Sequence, residues 1–587
     1  MPVRRKVLFK SIQKTLVATV VPVVASATFV NPGFAETTET VTFKLEEATI
    51  EDINRAFDAE ALTSKQLVQL YLNRIAAYED GGTFLNAITT VNPKALETAA
   101  ALDKERKLKG PRSPLHGIPV LLKDNIDTFD LPTSNGSVIL KNAIPPDDAY
   151  ITKYLRDAGA VILGKAAMGE FAGASYNTID GQPLNPYNFK RDTSGSSSGS
   201  AASVAANLTV LAIGTDTSTS VRGPAAVNGI VGLRPTTGLI SRDGIAPKNL
   251  TFDTAGPMAR TVTDTAILLN AIAGVDSNDP LTLNSEGKIE KDYTKFLRTG
   301  SLKGARIGVA RDFFGGDPEI DRLAEEAIAT LKELGAKVVD PVYFDPEFID
   351  FYVRNGGRNI RDIADYRFKE DWEAYLATFG PDVPKTVAEF VKIYETEIAV
   401  SPLPVADSVL SLLKDSLVTS TDAPEYQNLI DNVLPTATQI KLAVFDRYNL
   451  DALVFPYQTN FAAPINNPIE SIDDPTFVSS NRPNPATLGG YSSVGFPGIV
   501  VPMGFGTQGL PMTISFFGKP YSEAKLISYA YDYEQASKKR QPSPLVPPLP
   551  GEVIVYKARC VLGLPDRAAE KLPKFKKVPV CRSLQRP

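Results

Sequence analysis

The sequence predicts an α/β protein with a sheet sandwiched between helix layers. Two observations carry this expectation. Short apolar runs recur along the chain with little polar alternation, as strands covered on both faces require. Longer segments with apolar residues at helical spacing fall between them, so strands and helices take turns. The chain has 587 residues and is 43% hydrophobic, ample for a large core; length alone would suggest several domains.

The N-terminus is expected to be a signal peptide, residues 1–35. Arg4, Arg5, Lys6, Lys10 and Lys14 form a basic stretch, and an apolar run follows from Leu16 to Ala27. Small-residue cleavage sites stand at Ala25-Ser26-Ala27 and Gly33-Phe34-Ala35. The apolar run is short and interrupted by Pro22, so no stable membrane span is expected once the signal is removed. The Arg4-Arg5 pair admits a twin-arginine signal, but the general secretory type is the expectation. The protein should therefore be secreted or periplasmic.

After the signal a capped helix is expected, preceded by Thr63 or Ser64, with Leu67, Leu70, Tyr71, Arg74, Ile75 and Tyr78 at helical spacing. Strands are expected at Ile118–Lys123, Ala160–Lys165, Leu208–Gly214, Ala305–Ala310, Ala336–Val339, Asp451–Pro456, Ile499–Phe505 and Thr513–Gly518. A helix with Leu323, Ala327, Ile328, Leu331 and Leu334 on one face separates the fourth and fifth of these. From about Tyr343 to Pro483 the chain turns aromatic and irregular, and Phe348, Phe351, Tyr352, Tyr366, Phe368, Trp372 and Tyr375 fit either a core or a substrate pocket. Residues 541–587 are expected to form a Pro-rich, then basic tail outside the main body of residues 36–540; the last 17 residues hold six basic and no acidic ones.

A net charge of −5 argues against nucleic acid as a partner. The two cysteines, Cys560 and Cys581, are expected to pair in an oxidising compartment, closing a loop worth about 3 kcal/mol. There is no CxxC or HExxH, and the single histidine, His116, cannot build an ordinary zinc site, so no metal or other cofactor is expected.

A cluster of hydroxyls offers either a catalytic nucleophile or groups that merely satisfy a turn. Five of the six residues from Thr215 to Ser220 carry a hydroxyl, directly after an apolar run. A G-x-S-x-G elbow occurs at Gly195–Gly199 with Ser197 at its centre, but its usual chain order needs a downstream histidine and His116 lies upstream. Lysine is the alternative base, because a desolvated lysine is neutral near working pH. The S-x-x-K matches at Ser11, Ser285, Ser411 and Ser522 lack their companion motifs. Lys123 and Lys165 each close a buried strand and are the better candidates.

Five segments in order resemble the amidase signature family of serine hydrolases: LHGIPVLLKDNIDT, DTSGSSSGSAASVAA, IGTDTSTSVRGPAAVNGIVGLRPTTGLIS, FDTAGPMARTVTDTAILL and GFPGIVVPMGFGTQGLPMTISFFGKPYSEAKL. They run from Leu115 to Leu526, and the resemblance is expected to extend over roughly Thr63 to Pro542. The resemblance implies one large domain with a mixed central sheet and a Ser–Ser–Lys triad. Carried over, the base falls on Lys123, the serine held by a cis peptide bond on Ser196 and the nucleophile on Ser220; Lys165 matches a family lysine outside the triad. It further implies an oxyanion hole from the backbone of Thr217, Ser218 and Thr219, with Asp216 and Arg222 as braces. The family usually has small residues before the nucleophile, where this chain has Ser218-Thr219. A β-branched threonine does not readily adopt positive φ, so an impaired or reshaped oxyanion loop is one expectation.

The resulting expectation is an exported amidase acting on a small-molecule amide of aryl, fatty-acyl or peptide type. Two alternatives stand beside it: a glutamine-hydrolysing amidotransferase subunit, and a catalytically silent amidase-like binding protein. Oligomeric state is not legible.

Overall fold

Eleven strands build the central sheet of the computed structural model, which describes residues 36–80, 84–398, 404–491 and 495–561. In chain order they are β1 (Ile88–Val91), β2 (Pro119–Lys123), β3 (Val161–Ala166), β4 (Leu211–Asp216), β5 (Val231–Arg234), β6 (Thr254–Ala259), β7 (Arg306–Ala310), β8 (Lys337–Val342), β9 (Ala452–Pro456), β10 (Gly498–Phe505) and β11 (Pro511–Phe517). Their spatial order is β8-β7-β9-β11-β10-β5-β6-β4-β2-β3-β1. The sheet is mixed. β4, β2 and β3 run parallel near one edge, where β1 adds antiparallel to β3, and β8, β7 and β9 run parallel at the other, while antiparallel pairs join them through the centre.

All eight expected strands are present. The three that sequence patterning passes over, β1, β5 and β6, are short or rich in Gly, Pro and Arg, and so lack the apolar signature. Helix α1 (Ser64–Ile75) is capped by Thr63, whose side chain accepts from the Gln66 N–H in a capping box. Helix α4 (Pro318–Glu333) lies between β7 and β8 and buries Leu323, Ala327, Ile328 and Leu331, as its spacing requires. Helix α2 (Ser198–Ala205) is buried at every residue, and small side chains let it approach closely. A Cβ on Gly199 would stand 2.2 Å from Ala87 O and 2.6 Å from Ala167 N.

The aromatic middle region is mostly core. Phe368 and Trp372 of α6 (Phe368–Leu376) pack with Phe171 and Phe390 in a second hydrophobic cluster, ring centroids 5.1–6.4 Å apart. Phe348 and Tyr352 join the main cluster.

Thr40–Ala558 forms one compact unit; 36–39 and 559–561 are the described residues of another. The larger unit thus runs past residue 540, where patterning ends the domain. Arg74 is the physical reason. Fully buried, it pairs with Glu552 at 2.9 Å and donates to the carbonyls of Val546 and Pro547, fastening that stretch to α1. The expected signal peptide (1–35), Cys581 and the basic residues 571–587 lie outside the described residues. Among the described residues, no helix is long and apolar enough to cross a membrane.

Candidate active site

Parallel pairing of β2 with β4, in the register Leu122↔Ile213, brings Lys123 and Thr215 together where both strands end. Ligands of open α/β sheets collect at such carboxyl ends. Lys123 Nζ lies 2.7 Å from Ser196 Oγ, 2.8 Å from Thr215 Oγ1 and 3.4 Å from Thr215 O. The lysine is fully buried and makes no ion pair within 4 Å among the described residues. Burial therefore disfavours its ammonium and lowers it from 10.5 to about 7, against an upward pull from Asp216 and Asp253.

Ser196 follows a cis peptide bond from Gly195. A Cβ on Gly195 would lie 2.5 Å from Ala174 O, so the turn accepts only glycine there without movement. Ser220 sits at the entry to helix α3 (Arg222–Val227), and its carbonyl accepts from the Ser197 N–H at 3.3 Å, tying the two serine loops together. Ser196 and Ser220 line the same cavity, of about 600 Å³, with Gly195, Ser218 and Thr219. No hydrogen bond joins Ser196 Oγ to Ser220 Oγ among the described residues. In sites without substrate such hydrogen bonds are often long and tighten only when substrate binds.

The loop 217–220 is braced from below. Asp216 accepts from the Val221 N–H, from Arg222 Nε at 3.2 Å and from Arg234 Nη1 at 2.8 Å. Burial raises the Asp216 carboxyl, but the two arginines override it and hold it at about 2. Arg222 Nη2 donates to Ser218 O at 2.7 Å, and Thr217 Oγ1 donates to Asp253 at 2.5 Å. Backbone N–H groups of Thr217, Ser218, Thr219 and Ser220 have no acceptor among the described residues, which leaves them available to a ligand. Neither Ser218 nor Thr219 is among the residues with positive φ, so the loop does not demand glycine. The Thr219 side chain is accommodated, and its Oγ1 accepts from Tyr457 at 3.1 Å.

The other candidates have structural roles. Ser197 Oγ donates to Thr215 O at 3.1 Å and accepts from the Thr215 N–H at 3.2 Å; it is buried, with both functions used. His116 Nδ1 accepts from the Arg112 N–H, so Nε2 carries the proton to Leu102 O at 2.9 Å. Lys165 donates to Pro132 O and Thr133 Oγ1 and faces Asp124 at 3.9 Å. Sequence reasoning misses Thr215, Arg234, Asp253 and Tyr457. Thr215, Arg234 and Asp253 lie within the family-like segments, where adjacency to Lys123, Asp216 and Thr217 follows only from the fold. Tyr457 lies outside them and becomes a neighbour of the loop only in the fold.

A family model described as Amidase matches residues 66–527. The crystal structure of native peptide amidase from Stenotrophomonas maltophilia is similar at TM-score 0.75 and 36% identity, covering 85% of this chain and 99% of that one. A probable amidase of Arabidopsis thaliana is 36% identical over 512 residues, 85% of this chain and 92% of that protein. A glutamyl-tRNA(Gln) amidotransferase subunit of Methanosarcina barkeri is 34% identical over 487 residues, 81% of this chain and 94% of that protein.

Proposed function

Because the chain belongs to the amidase signature family and is an amidase, we propose that Ser220, Ser196 and Lys123 carry its reaction. The observation that bears most weight is the buried lysine, 2.7 Å from Ser196 Oγ and brought to about 7. A neutral Nζ offers a lone pair to the Ser196 hydroxyl and keeps its two N–H bonds for Thr215. Ser196 both donates and accepts, so it passes to Lys123 the proton that Ser220 Oγ loses on attacking the amide carbon. The tetrahedral oxyanion then lies against the unclaimed backbone N–H groups of Thr217, Ser218 and Thr219, where one donor is worth roughly 3 kcal/mol. On collapse the C–N bond breaks, the relay returns the proton to the amine, and the acyl group stays on Ser220 Oγ. Water attacks this ester with the same base and releases the acid.

The cavity wall favours a peptide-type amide over fatty-acyl or aryl ones. Among the described residues it is lined mostly by charged and hydroxyl-bearing side chains, and Leu412 is the only large aliphatic one of these. Export to a secreted or periplasmic location rests on the N-terminal basic and apolar segments, and recovery of the protein from those fractions with a trimmed N-terminus tests it. The similarity to an amidotransferase subunit supports a second reading, glutamine hydrolysis within a complex, which the expected signal peptide opposes.

A fluorophosphonate probe with peptide mass spectrometry tests the mechanism. Label on Ser220, lost together with turnover in Ser220→Ala, is the expected result. Full turnover by a folded Ser220→Ala protein would overturn it.

A further inference from the structure

The cavity that holds Ser196 and Ser220 is lined by three cations, Lys248, Arg358 and Arg361, and by three anions, Asp362, Asp365 and Asp415. Four of these neutralise one another. Lys248 Nζ lies 3.6 Å from Asp365, and Arg361 pairs with Asp362 at 3.0 Å. Arg358, at the start of helix α5 (Arg358–Ala364), and Asp415, near the end of helix α7 (Asp407–Ser416), are left over. Among the described residues neither side chain has an ion-pair or hydrogen-bond partner, and both are exposed to the cavity side of the protein. A carboxylate and a guanidinium that line one cavity without pairing present two opposite charges to whatever enters.

We propose that Arg358 and Asp415 select amides whose acyl part is zwitterionic, namely short peptide amides with an acidic side chain and a free amino terminus. The proposal rests on the amide-hydrolase reading above and assigns its substrate class. Arg358 takes the substrate carboxylate in a charge-assisted, bidentate geometry open to guanidinium. Asp415 accepts from the terminal ammonium. Neither contact takes part in bond making, so both act on substrate choice through kcat/KM.

The test uses the full protein and four matched probes: glutamyl-alanine amide, glutaminyl-alanine amide and the N-acetylated form of each. Wild-type protein should prefer the free glutamyl amide. Arg358→Ala should cut the glutamyl-over-glutaminyl ratio of kcat/KM roughly 10- to 100-fold, the worth of a hydrogen bond to a charged group. Asp415→Ala should cut the free-over-acetylated ratio by a similar factor. Ratios unmoved by either substitution overturn the proposal, as does a wild-type preference for the neutral acetylated amide. Fluorophosphonate labelling of Ser220, run in parallel, separates the two failures: labelled protein with unmoved ratios leaves the hydrolase reading intact, whereas unlabelled, inactive protein removes both.

Discussion

Replacing Lys123 with methionine should abolish turnover and make the protein more stable at pH 7. The side chain is fully buried, and its ammonium is depressed from 10.5 to about 7. At about 1.36 kcal/mol per pH unit, a depression of that size penalises the folded state by roughly 4–5 kcal/mol at neutral pH. Methionine forfeits the contacts to Ser196 Oγ and Thr215 Oγ1, about 1 kcal/mol each, leaving a net gain of about 2–3 kcal/mol. The pH dependence fixes the cause. Between pH 7 and 10.5 the unfolded lysine holds a proton that the folded one has released, so wild-type stability rises with pH relative to the variant. The variant's advantage should shrink by about 1.4 kcal/mol per pH unit and vanish at about pH 9. Urea midpoints of both proteins from about pH 6.5 to 9.5 measure this, and kcat/KM of the wild type should rise through a limb at about pH 7. A stability difference that does not vary with pH would refute a neutral Lys123, and with it the proposed base.

Other predictions concern the loops around it. Ser197→Ala should still label on Ser220 with a fluorophosphonate, while losing about 1–2 kcal/mol in urea denaturation for its two contacts to the Thr215 backbone. Thr219→Gly should not raise kcat, because no positive φ is needed there; it should lower stability by about 1 kcal/mol through backbone entropy and the lost Tyr457 contact. Arg234→Met should destabilise by about 3–5 kcal/mol, since it leaves buried Asp216 with one cation, and should move the acid limb of kcat/KM above its wild-type position. A limb at or below the wild-type position would contradict that assignment of charge.

Much of the fold is legible because strands covered on both faces are written as apolar runs, and β2, β3, β4, β7, β9, β10 and β11 show them; β8, at the sheet edge and largely exposed, is legible only from Val338 and Val339. β5, as Val-Gly-Leu-Arg, and β6, with Gly256 and Pro257 at its centre, do not show such runs, since their place is secured by neighbours and not by their own apolar content. Lys123, Ser196 and Ser220 stand out by type and motif. What surrounds them does not: Arg234 meets Asp216 only because β5 and β4 both pair with β6. Arg74 reads as one polar member of an amphipathic helix, and its contact with Glu552 is far along the chain, so patterning does not show that the compact unit continues to Ala558.

The charge around the lysine explains why two arginines stand beside one aspartate that touches neither serine. Burial pushes Lys123 down, and Asp216 and Asp253 pull it back. An unscreened buried carboxylate near it would pull too far, and a charged Lys123 cannot accept the Ser196 proton. Arg222 and Arg234 hold Asp216 ionised at about 2 and at the same time oppose its field. Arg222 uses Nη2 to fix Ser218 O, so the group that moderates the proposed base also shapes the loop proposed to hold the oxyanion. Base strength and loop geometry are therefore coupled through one buried ion cluster. A substitution there must disturb pH dependence and loop position together, unlike one at Ser197 or Thr219.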